Sequence, residues 1–235
     1  MKARSITYSN IISLSHEICP GIPKWPNDPD VVEEKFSDID ADGYYLKTWT
    51  LGEHSATHMN APRAFYDNGI TIEDYPATSL VNNAVVIDVR TRVEIDADYL
   101  LSVEDLETWE ETFGTIPEKS IVLLHTGWSK RWEKPLQYNN MQDDGSMHFP
   151  GFSESAARFM LEERKISGIG IDTHGVDGGS NVAYSVNKLI LQQPNIVLEN
   201  LTNLDLLPPA GITLFVGPIK LCEGSGSPVE AIALF

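Results

Sequence analysis

Two histidines and an asparagine stand close together in the stretch 54–62, which reads His-Ser-Ala-Thr-His-Met-Asn-Ala-Pro. Imidazole nitrogens bind zinc or manganese well, and a side-chain amide oxygen can supply a harder ligand. Pro62 favours an extended conformation at the residue before it, so the segment is predicted to be a strand edge or a loop. His58 and Asn60 would then project to the same side. His54, His58 and Asn60 are therefore candidate metal ligands, the alternative being two surface histidines on a helix.

The length of the chain fits one large domain spanning residues 1–235, because the sequence shows no internal repeat, low-complexity tract or linker. Apolar residues make up 42% and charged residues 22%, which is typical of a globular protein. The net charge of −17 argues against a nucleic acid or an anionic membrane surface as a partner.

Two features of the sequence bear on the cellular compartment. Residues 1–10 contain no apolar run of signal-peptide length, and no stretch approaches the roughly 20 apolar residues that cross a bilayer. Cys19 and Cys222 lie far apart without partner motifs, so buried free thiols are expected, with a disulfide as the alternative. A cytoplasmic protein is therefore expected.

Apolar and β-branched runs predict most of the strands. One of these runs, residues 44–51, leads directly into His54. The predicted strands are 11–18, 44–51, 84–89, 121–125, 166–171, 196–201, 212–220 and 229–235.

Two helices carry both a periodic apolar face and a capping residue. Residues 103–113 follow Ser102 as N-cap and stop at Gly114. Residues 154–165 follow Ser153 as N-cap. Strands mixed with few helices predict an α/β fold with a substantial sheet.

A series of short motifs runs in order along nearly the whole chain. They are Leu14-Ser-His followed by residues 20–26, the stretch 54–62, His125-Thr-Gly-Trp, Gly170-Ile-Asp-Thr, Glu199-Asn-Leu, and residues 224–229. With these motifs the sequence resembles the metal-dependent cyclase family, which includes bacterial kynurenine formamidases and isatin hydrolases. The resemblance implies a swivelling β/β/α domain and a homodimer or higher homo-oligomer. It also implies hydrolysis of small amides, lactams or lactones with zinc or manganese.

The resemblance assigns roles to individual residues, most of them in the family's signature, which corresponds to residues 54–64. His54 and His58 match the family's two metal-binding histidines. Glu199 matches a glutamate that ligates a second metal or supports the active site. Asn60 departs from the pattern, because it stands where a metal-binding aspartate is expected. The two histidines with Glu199 form a known catalytic zinc combination, with Asn60 as a fourth or weak ligand.

Two further departures remove imidazoles. Ala64 stands where the signature ends in a histidine that usually acts as general base, and Asn187 stands where many members have a histidine near a second metal. A neutral asparagine at position 60 also removes charge that would offset repulsion between two dications. The sequence therefore predicts one divalent metal ion per chain, zinc or manganese, and at most one.

The missing base must be replaced if the chain is a catalyst, since general acid–base catalysis is worth roughly 10²–10⁴ in rate. His174 is the first candidate because it follows a strand end within a family motif; the alternative is a loop histidine facing solvent. Glu199 is the second candidate and His125 the third. Trp25 and Phe65 lie near motif segments and are candidate walls for a flat substrate.

Three functions remain open at this stage. The first is a metal-dependent hydrolase acting on a small cyclic or acylated amide or ester, with a small molecule as its partner. The second is a catalytically degenerate member of the family that binds a small ligand without turnover. The third is oxygen chemistry, because two histidines and a carboxylate also hold ferrous iron.

Overall fold

The apolar runs of the sequence form the centre of one large sheet. The computed structural model describes residues 5–235. Its strands are β1 (Ile11–Ser13), β2 (Val32–Ser37), β3 (Leu46–Thr50), β4 (His58–Asn60), β5 (Val81–Asp88), β6 (Leu100–Leu101), β7 (Ile121–His125), β8 (Gly151–Phe152), β9 (Gly168–Ile171), β10 (Ile196–Glu199), β11 (Ile212–Pro218) and β12 (Gly226–Leu234).

Six α-helices and several short 3-10 turns connect these strands. The helices are α1 (Ile39–Asp42), α2 (Arg90–Val93), α3 (Val103–Phe113), α4 (Pro135–Asn139), α5 (Glu154–Glu162) and α6 (Ser185–Ile190). The 3-10 turns lie at Pro62–Ala64, Ile72–Asp74, Ala77–Ser79, Trp128–Arg131 and Leu204–Leu206.

The main sheet has the order β1-β12-β11-β5-β7-β9-β10-β4, and β4 also pairs with β12. Seven strands therefore form a closed ring, with β1 attached outside it to β12. The strands β5, β7, β9 and β10 run parallel, whereas the remaining pairs are antiparallel. Parallel strands are usually covered on both faces, and β7 is buried along its whole length.

Successive side chains of the central strands point to opposite faces of the sheet, so they contribute to two apolar cores. Val122 and Leu124 of β7 pack into the cluster that includes the buried residues of α3, α5 and α6. Ile121 and Leu123 point the other way, into a second cluster with residues of β4, β11 and β12. The period of two in the strand thus separates a helix-covered face from the interior of the ring.

Both predicted helices are present. The helix α3 has the predicted bounds, and the Ser102 hydroxyl and the Asp105 carboxylate cap it reciprocally. The helix α5 starts after Ser153 as expected but ends at Glu162. The predicted last turn does not form because Lys165 has a left-handed φ of 51°, which a right-handed helix cannot contain.

Other predictions need correction. The first strand stops at Ser13, since beyond it Ser15 makes only an isolated bridge to Leu201. The sequence pattern does not predict strand β2, which is mostly polar. This strand pairs with β3 as a separate two-stranded hairpin. Cys19 and Cys222 are exposed, so the expectation of buried thiols is wrong. Within residues 5–235, no helix is both long and apolar enough to cross a membrane.

Candidate active site

The short strand β4 contains His58 and Asn60 of the signature and is part of the closed sheet. His58 lies opposite Glu199 of β10, and Asn60 lies opposite Gly226 of β12. Residues 58–60 are thus a strand with partners on both sides, residues 54–57 form a loop as predicted, and the helical alternative is wrong. A side chain at position 226 would come within 2.5 Å of the His54 ring, so only glycine leaves room for that ring.

One cavity of about 210 Å³ gathers every predicted site residue except His125, the third candidate base. The predicted residues that line it are Trp25, His54, His58, Asn60, Phe65, His174 and Glu199. Ala64 and Asn187 line it as well, so all three departures from the family pattern face the same space. His125 does not line the cavity; it is buried at the end of β7, 4.0 Å from the Asp88 carboxylate.

The His54 ring makes two polar contacts. Its Nε2 lies 3.1 Å from Ser225 Oγ, which donates its own proton to the Glu53 carboxylate. Burial lowers the pKa of His54, and the nearby His58 lowers it further, so the ring is neutral and carries one proton. Neither Ser225 Oγ nor Asn60 Oδ1 has a proton to donate, so the ring proton lies on Nε2, where Ser225 Oγ accepts it, or on Nδ1, where Asn60 Oδ1 accepts it. In the tautomer with the proton on Nε2, the lone pair on Nδ1 faces Asn60 Oδ1, 2.8 Å away.

The orientation of the Asn60 amide is fixed by its other bonds. Its Nδ2 donates to Asn187 Oδ1 at 3.2 Å and to Glu199 Oε2 at 3.0 Å. Asn187 Nδ2 in turn donates to Glu199 Oε1 at 3.0 Å and to Asp177 Oδ2 at 3.2 Å. The oxygen of Asn60 is thereby turned towards His54, and in the His54 tautomer protonated on Nε2 two lone pairs meet there without a proton between them.

His58 and Glu199 present a second contact of this kind. His58 Nδ1 lies 2.9 Å from the Ala56 carbonyl oxygen, so it carries the ring proton. His58 Nε2 lies 3.0 Å from Glu199 Oε2. Burial alone would raise the pKa of Glu199, but the contact with His58 and the bonds from Asn187 and Asn60 hold it at about 2. The contact between Nε2 and the ionised carboxylate therefore needs a cation, either a second proton on His58 or a metal ion.

The donor atoms of the site are of the chemical types that bind divalent cations. His54 Nδ1 lies 2.8 Å from Asn60 Oδ1, and His58 Nε2 lies 3.0 Å from Glu199 Oε2. The amide nitrogen of Asn60, not its oxygen, contacts Glu199 Oε2 at 3.0 Å. The bonds from His54 to Ser225 and from His58 to the Ala56 carbonyl are outer partners of the kind that orient metal-binding imidazoles. Within residues 5–235, no three His, Cys, Asp or Glu side chains are arranged to hold a metal ion, and the amide of Asn60 contacts both His54 and Glu199.

His174 lies on the cavity wall and is nine-tenths buried. Its Nε2 lies 2.7 Å from Asn139 Oδ1, whose amide nitrogen donates to the Lys24 carbonyl. This arrangement places the ring proton on Nε2 and leaves Nδ1 able to accept a proton. Burial, and to a lesser extent the nearby His58, lowers the pKa of His174 to about 3, so the ring is neutral near pH 7. The alternative of a solvent-facing loop histidine is wrong.

Aromatic rings form the rest of the wall. Trp25 stands edge-on to the His174 ring at 6.2 Å between centroids. Phe65 lies 5.7 Å and Trp25 lies 6.0 Å from Tyr184, which the sequence pattern did not single out. Tyr184 has a left-handed φ of 54°, which is uncommon for a bulky residue. A backbone outlier on a cavity wall is a signal of function that only the structure reveals.

Comparison with known proteins gives a consistent result. The model of the Cyclase family matches residues 12–178. An isatin hydrolase of Roseibium aggregatum is 33% identical over 219 residues, which cover 88% of this chain and 82% of that protein. The chain belongs to the cyclase family. A kynurenine formamidase of Erythrobacter litoralis is 25% identical over 224 residues, covering 94% of this chain and 92% of that protein.

Solved structures of cyclase-family relatives share the fold. Isatin hydrolase A from Labrenzia aggregata, bound to benzyl benzoate, superposes with a TM-score of 0.90 at 33% identity, covering 96% of this chain and 93% of that one. An isatin hydrolase bound to the product analogue thioisatinate gives 0.89 at 30% identity, with 96% and 92% covered. The prediction of a cyclase-like α/β domain is confirmed.

Sequence reasoning missed several residues of this cyclase-family cavity. Asp177 receives the backbone N–H groups of Val186 and Asn187 at 2.7 and 3.0 Å, and it anchors the start of α6 at the cavity. Its position six residues beyond β9 was the available signal, because the carboxyl ends of parallel strands commonly carry site residues. Asp28 and Asn181 also line the cavity, and no sequence pattern marked them.

Proposed function

We propose that this cyclase-family protein is a hydrolase that cleaves the carbon–nitrogen bond of a small, flat amide or lactam. The isatin hydrolase and kynurenine formamidase relatives support this reaction class. The observation that carries the proposal is the convergence of lone pairs from His54, His58 and Glu199 on the floor of an aromatic-walled cavity. Lactones and esters, which differ at the leaving atom, are the second substrate group to test.

We propose one divalent metal ion per chain, zinc or manganese, held by His54, His58, Glu199 and the amide oxygen of Asn60. Such an ion would lower the pKa of a bound water molecule and would polarise a carbonyl group of the substrate. Glu199 carries the only charge among these ligands, since Asn60 and Asn187 are neutral amides. A single carboxylate neutralises half of the charge of one dication and a quarter of the charge of two. This charge balance favours one ion.

The chain's own residues position the reactants and move the proton. Trp25 and Phe65 lie on the wall of the cavity, where aromatic faces suit a flat substrate. His174 Nδ1 accepts a proton from the attacking water as its oxygen bonds to the carbonyl carbon. The carbon–nitrogen bond then breaks, and the proton passes to the departing nitrogen. The products are a carboxylic acid and an amine, which remain joined when the substrate is a lactam.

Glu199 is the weaker candidate for the proton-transfer role. Both of its carboxylate oxygens already accept hydrogen bonds, including one at 3.0 Å from the Val176 backbone N–H. We therefore assign Glu199 to holding the cation and His174 to moving the proton.

A catalytically degenerate member of the family is the second candidate. The absence of an imidazole at Ala64 favours it, because that position faces the cavity and carries no group that can transfer a proton. Under this alternative the cavity binds a small ligand without turnover. Reproducible, metal-dependent hydrolysis of any amide, lactam or lactone would exclude it.

Elemental analysis of protein purified without chelators is the first experiment. We expect about one zinc or manganese ion per chain in the wild type and a loss of it in His54→Ala and His58→Ala. His148→Ala is the matched control, because His148 contacts Asp98 and Ser146 outside the cavity. Hydrolysis of formamides, lactams and lactones is then measured on the same samples. Hydrolysis that persists in both His54→Ala and His58→Ala would refute the proposal.

A further inference from the structure

The charges around the cavity are all of one sign. Three carboxylates line it, from Asp28, Asp177 and Glu199, and no lysine or arginine among the described residues does so. Burial lowers the pKa of His174 to about 3, so this ring adds no positive charge. One bound dication would reduce the charge from −3 to −1 and would leave it negative. The cavity therefore disfavours anions whether or not it holds a metal ion.

Asp28 differs from the other two carboxylates in having no partner. Asp177 accepts hydrogen bonds from Val186, Asn187 and Asn181, and Glu199 accepts bonds at both oxygens. Within residues 5–235, no side chain and no backbone N–H donates to the Asp28 carboxylate; the nearby Lys24 Nζ donates to the Asp28 backbone carbonyl at 2.6 Å and pairs with the Asp30 carboxylate at 3.0 Å. Asp28 is half-buried on the cavity wall.

Aromatic faces stand beside this unpaired charge. Trp25 begins the turn in which the Asp28 backbone N–H donates to the Trp25 carbonyl at 3.0 Å. The Tyr184 ring lies 6.0 Å from Trp25 and 5.7 Å from Phe65. Burial raises the pKa of Tyr184, and the carboxylates of Asp28, Asp177 and Glu199 raise it further, so their field reaches this ring.

Aromatic rings grouped around a negative field are the arrangement that binds organic cations. The face of a tryptophan, tyrosine or phenylalanine attracts an ammonium group, and a nearby carboxylate adds Coulomb attraction. A hydrated metal ion gains little from aromatic faces, whereas a quaternary or protonated amine on an apolar frame gains from both.

We propose that the substrate or ligand of this cavity carries an organic cation, a quaternary or protonated amine, bound beside Asp28 and against the rings of Trp25 and Tyr184. For turnover this proposal rests on the amide hydrolase function, because the cationic end would place the amide over the floor formed by His54, His58 and Glu199. For binding it requires no catalysis.

Three formanilides of matched shape test the inference. They carry trimethylammonium, tert-butyl or carboxylate at the para position, so the first two differ in charge and hardly in size. Binding is measured by isothermal titration calorimetry with and without manganese, and hydrolysis by release of the aniline. We expect the cation to bind about tenfold more tightly than the tert-butyl compound, and the anion more weakly than either.

Two variants identify the source of the preference. In Asp28→Asn we expect the ratio of the cation and tert-butyl affinities to fall to about threefold or less, because the carboxylate is removed while the aromatic rings remain. Glu111→Gln removes an exposed charge from α3 outside the cavity and should leave the ratio unchanged. Equal affinities for the cation and the tert-butyl compound in the wild type would overturn the inference.

The two proposals fail in different ways. Selective binding of the cation with no aniline released would leave this inference standing and would refute the hydrolase function. Hydrolysis of all three formanilides with no preference for the cation would do the reverse. A preference that persists unchanged in Asp28→Asn would show that Asp28 is not part of the site.

Discussion

His58 and Glu199 lie directly opposite each other on the paired strands β4 and β10, with His58 Nε2 3.0 Å from Glu199 Oε2. Their side chains are both nine-tenths buried, so neither can exchange the other for water. The register of two antiparallel strands thus fixes the distance between the two candidate ligands. Sliding β4 by one residue would turn His58 to the opposite face of the sheet and abolish the contact.

The missing charge at position 60 leads to the first prediction. In Asn60→Asp the new carboxylate would lie about 3 Å from Glu199 Oε2, close to the present position of Asn60 Nδ2. Without a metal the two carboxylates repel, so the melting temperature should fall by several degrees. With manganese or zinc bound, the added charge should tighten metal binding by at least about tenfold.

Calorimetry and metal titration check both halves of this prediction. Asn82→Asp is the control, because Asn82 lies on β5 and donates to the Ser79 carbonyl outside the cavity. A variant that loses stability but gains no metal affinity would place the cation elsewhere. Formamidase activity that arises only when Ala64→His accompanies Asn60→Asp would show that the scaffold is intact and that the native chemistry differs.

The residues of the site could be found from the sequence because they sit in contiguous motifs. His54, His58 and Asn60 lie within seven positions, and a strand register needs no long-range information to place two of them on one face. Asp28 and Tyr184 come from loops without periodicity, and their positions depend on packing between distant segments. The local sequence pattern carries no information about packing between distant segments.

The fold shows the same division. The buried strands β7 and β10 were found because both faces are apolar, and α3 was found to the residue because its caps are explicit. The strand β2 reads Val-Glu-Glu-Lys-Phe-Ser, and its polar sequence gives no sign of burial. It forms a strand only through pairing with β3, so its position could not be inferred locally.

The exposed hairpin leads to the second prediction. Phe36 and Tyr45 are 66% and 53% exposed, and Ile39 in the turn region is 65% exposed. A two-stranded hairpin with an apolar surface is marginal alone in water, so we expect it to be covered by a second copy in a homodimer or larger oligomer. Light scattering after gel filtration measures the mass.

Two variants test whether the hairpin is responsible. Phe36→Lys should shift the population towards monomer, because burying a lysine ammonium costs several kcal/mol unless it is paired. Leu136→Lys is the control, since Leu136 is 89% exposed but lies on α4 away from the hairpin. A monomeric wild type, or equal dissociation in both variants, would contradict the prediction.

The third prediction concerns the pH dependence of stability. The His16 ring stacks on Trp132 at 4.0 Å, and burial lowers the pKa of His16 from 6.5 to about 4. The unfolded chain therefore takes up a proton near pH 6.5, whereas the folded chain takes it up only near pH 4. Folded-state stability from this group is complete above pH 6.5 and declines as the pH falls towards 4, by up to about 3 kcal/mol.

Urea unfolding of wild type and His16→Phe measures this effect. Phenylalanine keeps the stack on Trp132 but cannot be protonated. The stability of the variant relative to wild type should rise by up to about 3 kcal/mol between about pH 7.5 and about pH 4. Parallel stability curves for the two proteins would show that the pKa of His16 is not lowered in the folded protein, as for a ring that is hydrated in solution.

The last prediction separates proton transfer from metal binding at His174. His174→Gln should lower kcat by roughly 10²–10⁴ while the metal content per chain stays the same, because the ring moves a proton and ligates nothing. The lowered pKa of about 3 keeps the ring neutral, so the protonation of His174 should impose no loss of rate between about pH 5 and pH 8.

Asn139 is a positioning residue for this step, since its Oδ1 holds the His174 Nε2 proton at 2.7 Å. In Asn139→Ala the proton can move to Nδ1, which then no longer accepts, so kcat should fall by about tenfold with KM little changed. The pH profile should gain an acidic limb, because the ring becomes accessible to water and its pKa rises towards 6.5. Full activity in His174→Gln would transfer the role of base to another group in the cavity.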